Sequence, residues 1–221
     1  MINIVNLGLK DYNDALEIQL ALQQKRIENK IQDTLLLLEH NHVLTMGTRG
    51  KTRNIYLSSQ QLKDMGVETV YVNRGGDVTY HGPGQIVGYP IFNLSICDKD
   101  IRLFIQKLEN SIISLLKDRF NIEAYTQSGR FTGIWAQDKK IAAIGISVSK
   151  WVTMHGFAFN VNTDLKCFDW INPCGLNKGV TSVSEITGEK QDMAEIFLLT
   201  GEYIAKEFNS PINYTEISAL I

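Results

Sequence analysis

Three strand-like segments follow one another between residues 131 and 161, and tight turns join them. The segments are FTGIW, IAAIGISVS and TMHGFAFNV, and the turns fall at AQDKK and near Lys150 and Trp151. Consecutive short strands with tight connections are typical of antiparallel hairpins. Together with the helices predicted below, this pattern predicts an α+β architecture in which helices pack on a mixed or largely antiparallel sheet.

Helical periodicity occurs on both sides of these strands. It predicts helices over residues 11–29, 99–120 and 190–208, and in the first of them Leu16, Leu20 and Ile27 have the spacing of one buried face. Ser58 and Gln61 form a capping-box pattern that opens a short helix ending at Gly66. Further strands are predicted at INIVNLGLK, TLLLLEH, ETVYVN and QIVGYPIFNL; the last contains Pro90, which favours an edge strand or a bulge.

Composition excludes several classes of protein. The 221 residues are 44% apolar and 21% charged, which is ordinary for a globular chain and predicts a single domain over residues 1–221. A net charge of −2 without long runs of one sign argues against a nucleic-acid or membrane-surface binder. The N-terminus has neither a secretory nor a transit pattern, so a cytoplasmic location is expected.

Glycine is concentrated in the segment RGGDVTYHGPGQIVGYP, which begins at Arg74. Gly75, Gly76, Gly82 and Gly84 lie among polar side chains just before a predicted strand. A single glycine in a loop usually serves turn geometry, but this density also exposes backbone N–H groups beside polar side chains. We therefore interpret the segment as a place where backbone approaches a ligand closely.

Histidine and cysteine give no pattern for a metal site or a disulfide framework. His40 and His42 are alternate residues without an acidic or cysteine partner at ligand spacing, so structural roles are favoured over a metal. Cys97 follows an apolar strand end and Cys167 lies between Lys166 and Phe168, so both are interpreted as small apolar residues. Cys174 instead lies in a turn after Asn172-Pro173 and before Gly175. A nucleophilic thiol needs a group that favours the thiolate, because its usual pKa is about 8.5. Spacing alone leaves four candidates for that group: His81, His155, Lys139 and Lys140.

Small residues coincide in the predicted hairpin. If it is centred between Lys150 and Trp151, Gly145 lies opposite Gly156 and Ala143 opposite Ala158 on one face. Four small residues form a flat trough that suits a slim apolar chain. Close packing against a helix explains the same glycines equally well.

These motifs together resemble the lipoyl(octanoyl) transferase family, also called lipoate-protein ligase B. Arg74 to Gln85 match the signature R-G-G-x-x-T-[FYW]-H-x-x-[GH]-Q at every fixed position, and the likeness continues through TGIW, KIAAIG, HGFAFNV, NPCGL and TSV. The resemblance covers about the middle half of the chain. It implies the core fold of the lipoate and biotin protein ligase catalytic domains, with neither a cofactor nor a metal.

The resemblance also implies a mechanism. The thiol of Cys174 would take an octanoyl group from octanoyl-acyl carrier protein and pass it to a lysine of a lipoyl domain, in 2-oxoacid dehydrogenases or the glycine cleavage H protein. Lys140 would favour the thiolate and shuttle the proton, and the enzyme would act as a monomer. The family's substrate-contacting positions correspond here to Arg74, Gly75, Gly76, Asp77, Val78, Thr79, Tyr80, His81, Ala143, Ile144, Gly145, Gly156, Phe157 and Ala158.

Two alternatives remain at this point. An ATP-dependent lipoate or biotin protein ligase shares the implied fold but needs a nucleotide site, for which the only candidate loop is Arg74–Gly84. A non-catalytic acyl-binding module would make Cys174 and Lys140 incidental.

Both protein partners implied by the resemblance are typically acidic, so Arg49, Lys51, Arg53 and Lys150 are candidates for docking.

Overall fold

The computed structural model describes residues 1–96, 99–127, 132–172 and 179–221. In this part of the chain the α-helices are α1 (Tyr12–Ile27), α2 (Ser59–Asp64), α3 (Ile101–Phe120), α4 (Val183–Thr187) and α5 (Met193–Glu207). The strands are β1 (Ile2–Lys10), β2 (Asp33–His40), β3 (Val43–Met46), β4 (Glu68–Tyr71), β5 (Val78–His81), β6 (Gln85–Ile91), β7 (Tyr125–Gln127), β8 (Gly133–Ala136), β9 (Lys139–Ser149), β10 (Val152–Asn160) and β11 (Ile212–Tyr214).

Eight strands form one large sheet in the order β11-β1-β2-β6-β10-β9-β8-β7. β1 runs parallel to β2 and β11, and the other neighbours are antiparallel. A smaller sheet has the order β4-β3-β5. The predicted α+β class with a largely antiparallel sheet is confirmed.

Helices cover both faces of the large sheet. α3 and α5 pack on one face through a core that includes Phe104, Leu108 and Ile204. α1 covers the other face with Ala15 and Leu22, and the small sheet has a core of its own. Strand β2 contributes apolar side chains to the cores on both faces of the sheet, because successive side chains of a strand point to opposite sides.

The hairpin β9–β10 has the predicted register. Gly145 pairs with Gly156 and Ala143 with Ala158. Lys150 and Trp151 form its two-residue turn with φ values of 48° and 66°. Positive φ at both central residues is the turn type whose twist matches that of the flanking strands.

Two predictions about packing were wrong. Leu20 of α1 is 51% exposed, and the buried face of the helix includes Gln19 and Gln23 instead. Both glutamines form hydrogen bonds with the backbone of β10, so polar contacts rather than apolar spacing orient this helix. Pro90 lies in an interior strand, so the edge-strand alternative was wrong. The ladder between β6 and β10 is interrupted after Gly88 and resumes at Phe92, and this interruption accommodates the proline.

Candidate active site

A cavity of about 400 Å³ opens where the hairpin β9–β10 meets the segment that begins at Arg74. Its wall contains fourteen of the sixteen residues predicted for the site: Arg74, Gly75, Gly76, Asp77, Val78, Thr79, His81, Lys140, Ala143, Ile144, Gly145, Gly156, Phe157 and Ala158. Cys174 lies outside the described residues. Tyr80 is placed elsewhere: its ring belongs to the core of the small sheet, and its hydroxyl is 2.8 Å from His42 Nδ1.

Backbone hydrogen bonds hold the glycine-rich segment against the large sheet. The N–H of Gly75 donates to the carbonyl of Ile146 at 3.0 Å, which attaches the segment to β9. Gly76 has a φ of 99°, a conformation that favours glycine. The carboxylate of Asp77 accepts from the backbone N–H of Lys51 and Val78, which fixes the turn before β5.

The two glycines of the trough are required by backbone packing. A Cβ at Gly145 would lie 2.7 Å from the carbonyl oxygen of Gly75, and one at Gly156 would lie 2.1 Å from that of Gly88. Contacts this short do not occur in real structures, so both positions exclude a side chain. The geometry therefore favours close packing as the reason for these glycines, although they also line the cavity.

Arg74 brings a buried positive charge to the cavity. Its guanidinium is held by Thr45, with Nη2 donating to the Thr45 carbonyl at 2.7 Å and to its hydroxyl at 2.8 Å. Nη1 donates to the Gly75 carbonyl at 3.0 Å. Arginine suits this position because its guanidinium keeps its charge and offers a fixed fork of donors.

Histidine and tyrosine side chains lie beside Arg74. His81 Nδ1 is 2.8 Å from Gln85 Oε1, so this nitrogen donates and the other is left to accept. His155 Nε2 donates in the same way to Asn73 Oδ1 at 2.8 Å. The rings of Tyr12 and His81 are stacked with 6.1 Å between their centroids.

Burial keeps these groups neutral. It lowers the pKa of His155 to about 4, with a further lowering by the charge of Arg74. The pKa of His81 is also well below its ordinary value, because of burial and then the neighbouring His40 and Arg74. Burial raises the pKa of Tyr12 to about 12. At neutral pH the charged guanidinium of Arg74 therefore lies beside neutral imidazole and phenol groups.

Lys140 lies in the same wall, on β9. Its ammonium donates to the carbonyl of Thr132 at 3.0 Å and is 5.1 Å from the ring centroid of Trp135. Its backbone pairs with the chain after position 178, because its N–H donates to Gly179 and its carbonyl accepts from Thr181, both at 3.0 Å. Of the four candidates for activating a thiol, His81 and His155 also line this cavity, whereas Lys139 is exposed and ion-paired with Glu185.

The cysteines have different positions. Cys97 and Cys174 lie outside the described residues, while Cys167 is buried in the core of the small sheet beside Tyr80. Burial raises the pKa of the Cys167 thiol, as expected of an inert structural cysteine.

The chain at Asn172 is attached beside the cavity. Asn172 donates its N–H to the carbonyl of Asn54, and Asn54 Nδ2 contacts Asp77 in the cavity wall.

Several lining residues were not predicted from the sequence. Tyr12, Tyr89, Trp135 and Asn160 line the cavity, and Ile101 and Ile105 reach it from α3. Tyr12 directly follows the predicted start of α1, and Ile101 lies in the first turn of the helix predicted over residues 99–120. The helix termini could be predicted from the sequence, but the strand packing that brings them to the cavity could not.

The fold is that of lipoate and biotin protein ligases. A structure described as "A bi-partite lipoate protein ligase and its E2 lipoyl domain from Thermoplasma acidophilum" is similar with a TM-score of 0.71 at 14% identity, and the match covers all of this chain and 90% of that chain. A biotin protein ligase from Aquifex aeolicus is similar with a TM-score of 0.53 at 15% identity, covering 94% of this chain and 69% of that chain.

Sequence similarity gives the family. Residues 11–205 match the model described as "Lipoyl protein ligase A/B catalytic domain". The octanoyltransferase of Caldicellulosiruptor saccharolyticus is 50% identical over 214 residues, which cover 96% of this chain and 91% of that protein. The octanoyltransferase of Alkaliphilus metalliredigens is 42% identical over 99% of both chains. The chain belongs to the lipoyl protein ligase A/B catalytic domain family and is an enzyme of octanoyl transfer.

Among the helices of the described residues, none combines the length and apolarity that crossing a membrane requires.

Proposed function

We propose that this enzyme moves an octanoyl group from octanoyl-acyl carrier protein to a lysine of a lipoyl domain through a thioester on Cys174. The octanoyl group agrees with the names of the relatives. The lipoyl-domain acceptor agrees with the family and with the T. acidophilum lipoate protein ligase, which is described together with its E2 lipoyl domain. The carrier-protein donor and the cysteine thioester belong to the proposal alone.

The observation that carries the proposal is the position of Lys140. Its ammonium lies in the wall of an acyl-sized cavity, and its backbone pairs with Gly179 and Thr181, which follow Cys174 by five and seven positions. On the other side of Cys174, Asn172 is attached to Asn54 beside the same cavity. The two ends of the segment that carries the thiol are thus held at the cavity.

The chemistry proceeds in two transfers. In the first, the thiolate of Cys174 attacks the thioester carbonyl of the donor, the carbon–sulfur bond to the phosphopantetheine breaks, and the released thiolate takes up a proton. In the second, the neutral amine of the acceptor lysine attacks the Cys174 thioester, an amide forms and the cysteine thiolate leaves. Lys140 favours the thiolate as a nearby cation and gives its proton to the released phosphopantetheine thiolate in the first transfer. In the second transfer the neutral Lys140 amine accepts the proton that the attacking amine loses.

The cavity wall suits the acyl chain. Ile101, Ile105, Ile144 and Phe157 give it an apolar lining beside the small residues of the trough. Burial of a methylene group contributes about 0.8 kcal/mol, so a saturated chain of eight carbons gains several kcal/mol by entering.

Mass spectrometry of the intact protein tests the proposal. After incubation with octanoyl-acyl carrier protein, the enzyme gains one octanoyl group, and Cys174→Ala gains none. Cys167→Ala is the matched control and keeps the acylation, because that thiol is buried away from the cavity. An octanoyl group on Cys174→Ala, or one that forms only with ATP and free octanoate, would overturn the mechanism.

Lysine variants test the role of Lys140. In Lys140→Ala acylation slows, and its pH dependence moves to higher pH, because the thiolate has lost a neighbouring cation. Lys139→Ala is the control: its exposed side chain pairs with Glu185 outside the cavity wall. Equal rates and pH profiles for the two variants would remove Lys140 from the mechanism.

A further inference from the structure

A single peptide group connects Lys140 with a buried carboxyl group on α3. The carbonyl of Thr132 accepts from Lys140 Nζ at 3.0 Å. The N–H of the same peptide group belongs to Gly133 and donates to the carboxyl of Glu109. Lys140 and Glu109 therefore hold the two ends of one peptide dipole.

Glu109 has an unusual environment for an acidic side chain. It is only 8% exposed, on the face of α3 that also buries Leu108 and Ile112. Burial raises the pKa of its carboxyl, and the hydrogen bond from Gly133 opposes this rise. Burying a carboxyl group among apolar residues is costly, and a partner such as Gly133 N–H offsets part of that cost.

The backbone at Gly133 makes the arrangement possible. Gly133 has a φ of 132°, and a Cβ there would lie 2.6 Å from the carbonyl oxygen of Ala142. No side chain fits at this position, so β8 can begin with its first peptide N–H turned toward α3. The carbonyl of the same peptide is then presented to Lys140 at the cavity, whose wall includes Thr132.

We propose that Glu109 is a positioning residue for Lys140. It fixes the peptide group of Thr132 and Gly133, and this peptide group in turn fixes the ammonium in the cavity wall. Glu109 is not among the residues that line the cavity, so it would act on Lys140 from outside the cavity wall. The inference rests on the role proposed for Lys140, and it adds that the lysine is held in place from outside the cavity.

The test measures the rate constant for acylation of Cys174 and the donor concentration at half-saturation. We expect Glu109→Ala to lower the rate constant about tenfold with little change in that concentration, since tenfold corresponds to about 1.4 kcal/mol. Glu109→Gln keeps an oxygen that accepts from Gly133, so it should restore the rate constant to within about threefold. If Gln is as slow as Ala, acceptance of this hydrogen bond is not the role of Glu109.

A double-mutant cycle separates positioning from a general loss of structure. In a Lys140→Ala background, Glu109→Ala should change acylation by less than about twofold, because the group it positions is absent. Asn110→Ala is the matched control: Asn110 is the next residue of α3 and donates to Glu207 of α5 at 3.0 Å. It should lower the melting temperature without slowing acylation.

The outcomes distinguish this inference from the proposed function. If Lys140→Ala acylates at the normal rate, the role of Lys140 itself is wrong. If Lys140→Ala is slow but Glu109→Ala costs the same factor with and without Lys140, only the positioning role of Glu109 is wrong.

Discussion

Substitution of Gly145 by alanine tests whether the glycine-rich segment is packed directly on the sheet. A Cβ at this position would lie 2.7 Å from the carbonyl oxygen of Gly75 and 3.4 Å from Arg74 Cδ. Contact with the carbonyl oxygen is about 0.7 Å shorter than an ordinary contact of 3.4 Å. β9 cannot yield easily, because Gly145 is paired with Gly156 inside the large sheet. The segment must therefore move, which strains the hydrogen bond from Gly75 to Ile146.

The size of the effect follows from these contacts. Overpacking typically costs about 1–3 kcal/mol. Replacing glycine returns about 0.4–1 kcal/mol by restricting the unfolded chain. The free energy of unfolding of Gly145→Ala should thus fall by about 1–2 kcal/mol, and the melting temperature by about 2–8 °C for a chain of this length. The donor concentration at half-saturation should rise, because Arg74 and Gly75 line the cavity.

Gly75→Ala is the matched comparison for stability. Its Cβ would meet only the carbonyl oxygen of Ile146, at an ordinary 3.6 Å. This variant should be as stable as the wild type or slightly more so. Urea and thermal unfolding of both variants measure the difference. If Gly145→Ala is as stable as Gly75→Ala, the segment does not press on β9, and the explanation of the trough glycines fails.

Three further predictions concern substrate, pH and docking. Each methylene removed from the octanoyl donor should lower kcat/KM about fourfold, because its burial contributes about 0.8 kcal/mol. Equal rates for hexanoyl and octanoyl donors would exclude an apolar acyl site. His40 and His155 have pKa values lowered to about 4 by burial, so the folded state binds fewer protons than the unfolded state below pH 6.5. Their contribution to the free energy of unfolding should be complete above pH 6.5. Between pH 6.5 and pH 4 the free energy of unfolding should fall by up to about 1.4 kcal/mol per pH unit for each histidine. If His40→Gln does not reduce this pH dependence in urea unfolding, the explanation is wrong. The double variant Lys51→Glu and Arg53→Glu should slow turnover at low salt and flatten its salt dependence, and an unchanged salt dependence would exclude these exposed residues from docking.

The hairpin is the part of the fold that the sequence specifies most closely. Its two-residue turn at Lys150 and Trp151 sets the register, and a shift by one residue would move every apolar side chain to the wrong face. Local chemistry also determines the capping box of Ser58 and Gln61, where both reciprocal hydrogen bonds form. Such features depend on neighbours in the chain, so they could be predicted without tertiary information.

Of the small sheet, only β4 was predicted from the sequence, as part of ETVYVN. Its strands β3, β4 and β5 have four residues each and come from three separate parts of the chain. Runs this short carry little periodicity. β5 also lies inside the glycine-rich segment, whose composition indicates a loop; its residue Tyr80 faces the core of the small sheet while the flanking Thr79 and His81 line the cavity.

The neutral state of the buried imidazoles bears on how protons move in the active site. His155 has a pKa of about 4 and that of His81 is well below the ordinary value, so both are weak bases at neutral pH. Efficient general catalysis requires a pKa near the working pH, which neither ring provides. Their donors are also engaged, His81 with Gln85 and His155 with Asn73. These properties argue against a histidine as the proton relay of the proposed mechanism, and the hydrogen bonds to Gln85 and Asn73 hold the two rings in place.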